Sequence, residues 1–196
     1  MSGGRSAGMY DGMCDGMEGR SNGLPMETSS CVQSDAASHV RVGTGWDLHV
    51  MAEGRPLVIG GVRIESPKGC IAHSDGDVLI HALIDALLGA CGMDDIGMLF
   101  PDDDPAFKDA DSSVLLGNVV SMVASKGFRI VNADSTVVLQ SPRLGSYKAS
   151  MKERLARILG VDPSMVCVKA KTAEGVLGEL GKGDAVMAQA VVLVVR

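Results

Sequence analysis

The chain has 196 residues, enough for one domain with a sizeable core and too few for two comfortable ones. Its formal charge of −6 excludes the basic footprint of a general nucleic-acid binder, and no apolar run approaches the length of a membrane span. Hydrophobic residues make up 46% of the chain but aromatics only 3%, so the core must be aliphatic.

Residues 1–38 differ from all that follow, with seven glycines, five of the twelve methionines and no periodic apolar face. They are expected to form a disordered extension, since they bury too little to offset their ordering entropy. They have neither the apolar centre of a secretory signal nor the basic bias of a transit peptide, so a cytoplasmic, bacterial-type location is expected. Cloning residue or a mis-assigned start codon is the expected origin of this extension. Cys14, Cys31, Cys70, Cys91 and Cys167 are scattered, odd in number and without a C-x-x-C pair, which fits free thiols in a reducing compartment.

Residues 39–196 form the expected single folded domain. Stretches 40–50 and 56–65 look like strands, the second with Gly60-Gly61 as a bulge or turn. Residues 76–90 carry a long apolar helical run, with Ser74 or Asp75 as its N-cap. Phe100 to Pro105 breaks secondary structure, and 111–125 resumes a helix. Phe128 to Gln140, Val166 to Ala170 and Ala185 to Val195 are the further expected strands, with an amphipathic helix over 146–159. The alternation predicts an α+β (two-layer α/β) domain, a mixed sheet with helices packed on one face.

Ligand-type side chains gather early. In Gly45-Trp46-Asp47-Leu48-His49, alternate residues of a strand share a face, so Asp47 and His49 project together. Asp77, His81 and Asp85 stand at i, i+4 and i+8 on the apolar helix, a polar stripe that needs a metal, a partner or a polar cavity. An exposed, merely solvated face is the alternative. One carboxylate and two imidazoles, Asp47, His49 and His81, suit Zn²⁺ and leave its fourth position for water or substrate. His73, ahead of the helix, could meet an anion at its N-terminus. Asp102, Asp103 and Asp104 could bind a cation or sugar hydroxyls, or form a solvated acidic loop. Lys171 and Thr172 could meet phosphate, and Glu174 could offer Mg²⁺ one carboxylate.

Taken in order, these segments resemble the 2-C-methyl-D-erythritol 2,4-cyclodiphosphate synthase family of the non-mevalonate isoprenoid pathway. The likeness runs from Val40 to Arg196 through Gly45 to His49, Ile59-Gly60-Gly61-Val62, Ala72 to Asp77 with His81, Asp95-Ile96-Gly97, Phe100-Pro101-Asp102, Asn132 to Thr136 and Val168 to Glu174. The resemblance implies that Asp47, His49 and His81 ligate Zn²⁺ or another divalent cation. It implies that Glu174 reaches Mg²⁺ or Mn²⁺ on the substrate diphosphate, and that His73 and Thr172 stabilise the transition state. Leu48, Ser74, Lys171 and Ala173 join these residues around the substrate. Asp95, Ile96, Gly97, Phe100, Pro101 and Asp102 to Asp104 would contact the sugar and erythritol parts. Leu139, Gln140, Ser141, Pro142, Arg143, Leu144 and Gly145 would form the cytosine pocket.

The implied product pair is a cyclic diphosphate and CMP, and the implied assembly is a homotrimer with sites between subunits. Two departures stand out. Many members have Gly-Arg-Gly-Glu where this chain has Gly181-Lys182-Gly183-Asp184, and residues 175–180 include one extra position. Lys182 lacks the fork of Arg, which leaves its cavity-lining role open. Two other classes share these features: a zinc hydrolase of phosphate esters, and a non-catalytic trimeric binding protein.

Overall fold

A computed structural model describes residues 39–101 and 103–196; the expected extension over 1–38, with its two cysteines, and Asp102 lie outside the described residues. Strands β1 (Arg41–Glu53), β4 (Lys68–Cys70), β5 (Arg129–Val138), β6 (Val166–Lys171) and β7 (Ala185–Val195) form one mixed sheet in the order β4-β1-β7-β5-β6. β7 runs antiparallel to both β1 and β5, while β5 and β6 are parallel. The helices α1 (Val78–Ala90), α3 (Ser112–Ser125) and α4 (Lys148–Leu159) enclose an aliphatic core of Val, Ile, Leu and Ala against the sheet. The expected α+β architecture is what the chain adopts. Among the described residues, no helix is long and apolar enough to cross a membrane. Cys70, Cys91 and Cys167 are free thiols.

The two faces of β1 differ sharply. Gly43, Gly45, Asp47, His49 and Met51 face α1, whereas Val42, Trp46, Leu48 and Val50 project to the other side and are 47–62% exposed, or 65% for Trp46. A Cβ placed on Gly43 would lie 1.8 Å from the carbonyl oxygen of Ala86, and one on Gly45 would lie 2.2 Å from that of Ala82. No side chain fits there. Glycine on the strand and alanine on the helix bring the two backbones together, and this close approach lets side chains from β1 and α1 meet end to end.

Four expectations needed correction, the last of them the polar stripe assigned to Asp77. Residues 56–65 are not one strand but a hairpin, β2 (Leu57–Ile59) and β3 (Val62–Ile64), folded back at Gly60 and Gly61. Both glycines have positive φ, a region that costs glycine nothing. The three-residue β4 and the single-turn helices α2 (Ile96–Leu99) and α5 (Glu179–Lys182) were not anticipated, because elements this short have no readable period. In addition, α1 is capped by Asp77 rather than by Ser74 or Asp75.

Asp77 is fully buried and does not belong to the polar stripe assigned to it. Its carboxylate accepts the N–H groups of Leu79 (3.1 Å) and Ile80 (3.0 Å) at the helix start. It also accepts those of Gly60 (2.9 Å) and Gly61 (2.6 Å) in the hairpin turn. One side chain thereby satisfies four backbone donors and ties β2–β3 to the start of α1.

Candidate active site

Asp47 and His49 reach out from β1 and His81 from the first turn of α1. Their ligand atoms converge: Asp47 Oδ2 is 3.1 Å from His49 Nε2 and 3.0 Å from His81 Nδ1, and the two imidazole nitrogens are 3.1 Å apart. Two ligands about 2.0–2.1 Å from a tetrahedral ion stand roughly 3.4 Å apart, so this near-equilateral triangle is already close to one face of such a coordination shell. Three ligand-type atoms are held together although two imidazoles gain little from facing each other in this way. The donor set therefore fits a divalent cation, and borderline nitrogen ligands with one oxygen favour zinc. The side chains are 24%, 17% and 11% exposed respectively, open on one side only.

Burial pulls the His81 imidazole down, but the hydrogen bond and charge of Asp47, with Asp77 and Asp75 beyond it, outweigh burial and raise it above the ordinary value. Burial also pushes Asp47 up, yet the His81 hydrogen bond and the charges of His49 and His81 hold it below the usual carboxylate value. A raised imidazole stabilises the metal-free fold below its unfolded pKa, and that contribution is lost as pH rises through the folded one. A depressed carboxylate stabilises it above its unfolded pKa, and that contribution is lost as pH falls. The metal-free protein should thus be stabilised by this pair most between the two ranges, in mild acid. Zinc should add stability increasingly as pH rises, because protons and metal compete for His81. Unfolding temperatures measured across pH with and without zinc check this; a zinc increment that grows in acid would contradict it.

These three residues line one pocket together with His73, Ser74, Asp85, Ile96, Gly97 and Phe100. Asp85 accepts the Ile96 N–H at 2.8 Å and so holds the first turn of α2 at the pocket wall. Phe100 packs edge-on against Phe107, ring centres 5.3 Å apart, to close another side. Ile71, Ala72, Asp85, Phe107 and Leu115 were not anticipated as pocket residues. Of these only Asp85 carried a signal, its spacing of four from His81.

The remaining anticipated residues lie as follows. Asp95 is exposed and caps α2 through Met98 N, and Asp104 caps the turn at Pro105–Phe107 while its carbonyl lies 3.3 Å from His73 Nε2. Pro101 is half-buried and Asp103 exposed. Leu48 projects to the opposite face of the sheet, so only its backbone, whose N–H is given to Asp47, belongs to this side.

Leu139, Arg143, Leu144, Gly145, Lys171 and Thr172 line a second pocket, with Lys148 and Ala170. Gln140 and Pro142 are half-buried beside it in sequence, and Ser141 is exposed. Thr172 donates a hydrogen bond to the exposed Glu174, which has a left-handed backbone, and Ala173 is buried. Lys182 is exposed and paired with Glu179 at 2.7 Å. The two pockets share no lining residue. Among the described residues, Thr172 lines a pocket separate from that of the Asp47 cluster, and Glu174 lines neither of the two.

A helix-backed mixed sheet bearing an Asp-His-His cluster at a pocket defines a class of α+β proteins with a site that could hold a metal ion. Within that class the family is clear. The family model described as the YgbB family matches residues 40–195, and the chain belongs to this family. A 2-C-methyl-D-erythritol 2,4-cyclodiphosphate synthase of Geobacillus kaustophilus is 52% identical over 153 residues, 78% of this chain and 96% of that protein. One of Laribacter hongkongensis is 54% identical over 155 residues, 79% and 95% of the two chains. A solved structure of a 2C-methyl-D-erythritol-2,4-cyclodiphosphate synthase, described as its CDP-bound form, is 40% identical with a TM-score of 0.73, covering 79% of this chain and 99% of that one.

Proposed function

We propose that this chain is a phosphorus–oxygen lyase that converts 4-diphosphocytidyl-2-C-methyl-D-erythritol 2-phosphate to 2-C-methyl-D-erythritol 2,4-cyclodiphosphate and CMP. The observation that carries this reading is the triangle of Asp47 Oδ2, His49 Nε2 and His81 Nδ1, beside His73 and Ser74 in one pocket. Family membership and relatives about half identical in sequence give it direction.

The 2-phosphate attacks the β-phosphorus, the bond to the CMP oxygen breaks, and the ring closes. Two anionic groups must approach each other, so charge repulsion is the main obstacle. Asp47, His49 and His81 would hold Zn²⁺, and Glu174 would reach Mg²⁺ or Mn²⁺ on the diphosphate; bound there, such ions neutralise phosphoryl charge and polarise its oxygens. His73, Ser74 and Thr172 offer donors to the phosphate oxygens, and Lys171 adds a positive charge. Asp95, Ile96, Gly97 and residues 100–104 would contact the sugar and erythritol parts. Leu139 to Gly145 would take the cytosine side, and Leu48 and Ala173 would join the substrate contacts. Folding the substrate back on itself supplies a proximity contribution of several kcal/mol. No protein nucleophile is needed.

We also read the protein as a homotrimer. Val42, Trp46, Leu48, Val50 and Val191 form an exposed apolar sheet face of the kind that marks an interface, and the split between the two pockets suits a site completed by a neighbour. Lys182, held by Glu179, has no assigned contact with substrate.

The test supplies the purified full chain with the cytidylyl substrate, Mg²⁺ and Zn²⁺. Equal amounts of CMP and the cyclic diphosphate are expected. Release of inorganic phosphate or open-chain phosphates with water would mark a hydrolase, and binding without turnover a non-catalytic protein. Glu174→Gln should raise the Mg²⁺ concentration needed for half-maximal rate by about tenfold while leaving zinc content unchanged. Equal loss of both metals would contradict separate sites.

A further inference from the structure

His81 has two ring nitrogens with different surroundings. Nδ1 faces Asp47 and His49, while Nε2 lies 3.0 Å from Ser112 Oγ and 3.3 Å from Ser74 Oγ. Ser112 is fully buried at the first position of α3. Its Oγ lies 2.5 Å from Asp75 Oδ1, and its backbone N–H donates to Asp75 Oδ2 at 3.1 Å. Asp75 Oδ1 also accepts the N–H of Asp77 at 3.2 Å.

The direction of this chain of bonds follows from its end. Asp75 accepts two backbone N–H groups on the same two oxygens, and the Ser112 hydroxyl donates its single proton to Asp75 Oδ1. Ser112 Oγ then has only lone pairs left for His81, so the shorter of the two contacts at Nε2 calls for a proton on that nitrogen; Ser74 Oγ, the more distant neighbour, can accept from the same proton. A neutral imidazole protonated at Nε2 has its lone pair on Nδ1, the nitrogen that sits in the Asp47–His49 triangle. Metal-binding histidines are commonly oriented by such a partner on the far nitrogen.

We propose that Ser112 and Asp75 are positioning residues that hold His81 as the Nε2–H tautomer, with Nδ1 aimed at the ion site. The inference rests on the metal site proposed above. It assigns a role to two residues that never touch the ion. Ser112 opens α3 and Asp75 sits in the loop before α1, so the bond chain also sets α3 against the site. Asp75, which looked like a helix cap in sequence, has this job instead.

The experiment uses the full chain and two metals as probes. Zinc and cobalt dissociation constants are measured by competition with a chromophoric chelator, for the parent and for Ser112→Ala. The variant is expected to bind both metals at least about tenfold more weakly. Its metal-free unfolding temperature should stay within a few degrees of the parent's, because Asp75 keeps its two backbone donors. In the zinc-loaded parent, nitrogen-resolved NMR should show the His81 Nε2 proton shielded from exchange with water, and in the variant the same proton should exchange rapidly. Unchanged affinity, or a parental Nε2 proton that is absent or exchanges freely, would overturn the proposal. The parental NMR measurement decides the matter even if the variant fails to fold. A parent that takes up neither metal would instead sink the metal reading of the site.

Discussion

Replacing His81 with alanine should strip the protein of zinc and lower turnover by about three orders of magnitude, with the fold kept. The charge stabilisation a bound ion gives to phosphoryl transfer is worth several kcal/mol, and each 1.4 kcal/mol is tenfold in rate. The fold should survive because His81 sits in the first turn of α1, where alanine is an excellent helix former, and its removal relieves an imidazole held in a nearly buried place. Asp47→Asn provides a second route to the same end. It keeps the shape but removes the negative charge that faces two imidazoles. Zinc content by elemental analysis, CMP release and far-ultraviolet dichroism together check both variants. Stoichiometric zinc in either one, or full activity without zinc, would contradict the assignment.

Asp77→Ala should have the largest effect on stability, although Asp77 points away from the ion site. Its carboxylate satisfies four backbone N–H groups, two in the Gly60-Gly61 turn and two at the start of α1. A lost helix cap alone costs about 1 kcal/mol. Buried donors left without acceptors cost about 1–3 kcal/mol each unless water reaches them. A total near 4 kcal/mol is therefore expected, roughly 10 °C in unfolding temperature for a chain of this size. Asp77→Asn should fall between, since its single carbonyl can serve only part of the set and its amide hydrogens would oppose the other donors. Thermal unfolding of the metal-free proteins measures this without interference from the ion site. A shift below about 2 °C for the alanine variant would show that the four bonds are replaceable by solvent.

What could be read from the sequence follows the length of each element. The long pieces, β1, α1, α3, α4, β5 and β7, show periodicity over two turns or more, and so the helix-backed mixed sheet was legible. The Asp-x-His of β1 was legible for the same reason, as alternation fixes a shared face. Its meeting with His81 depended on something less visible, the glycines of β1 lying against Ala82 and Ala86.

Asp77 was misread because spacing along a helix says nothing about a residue at its very start, whose carboxylate turns back to the backbone. Ser112 drew no notice, since a serine opening a helix looks ordinary until His81 is found beside it. The separation of Leu139 to Gly145 and Thr172 from the Asp47 cluster could not be foreseen either, because sequence order is silent on which residues share a cavity.

The central claim is that Asp47, His49 and His81 grip a divalent cation. Anomalous diffraction at the zinc edge, from crystals of the full chain grown with zinc, tests it most directly. The account predicts one strong peak within coordination distance of Asp47 Oδ2, His49 Nε2 and His81 Nδ1. Density for zinc elsewhere, with that triangle empty, would contradict it.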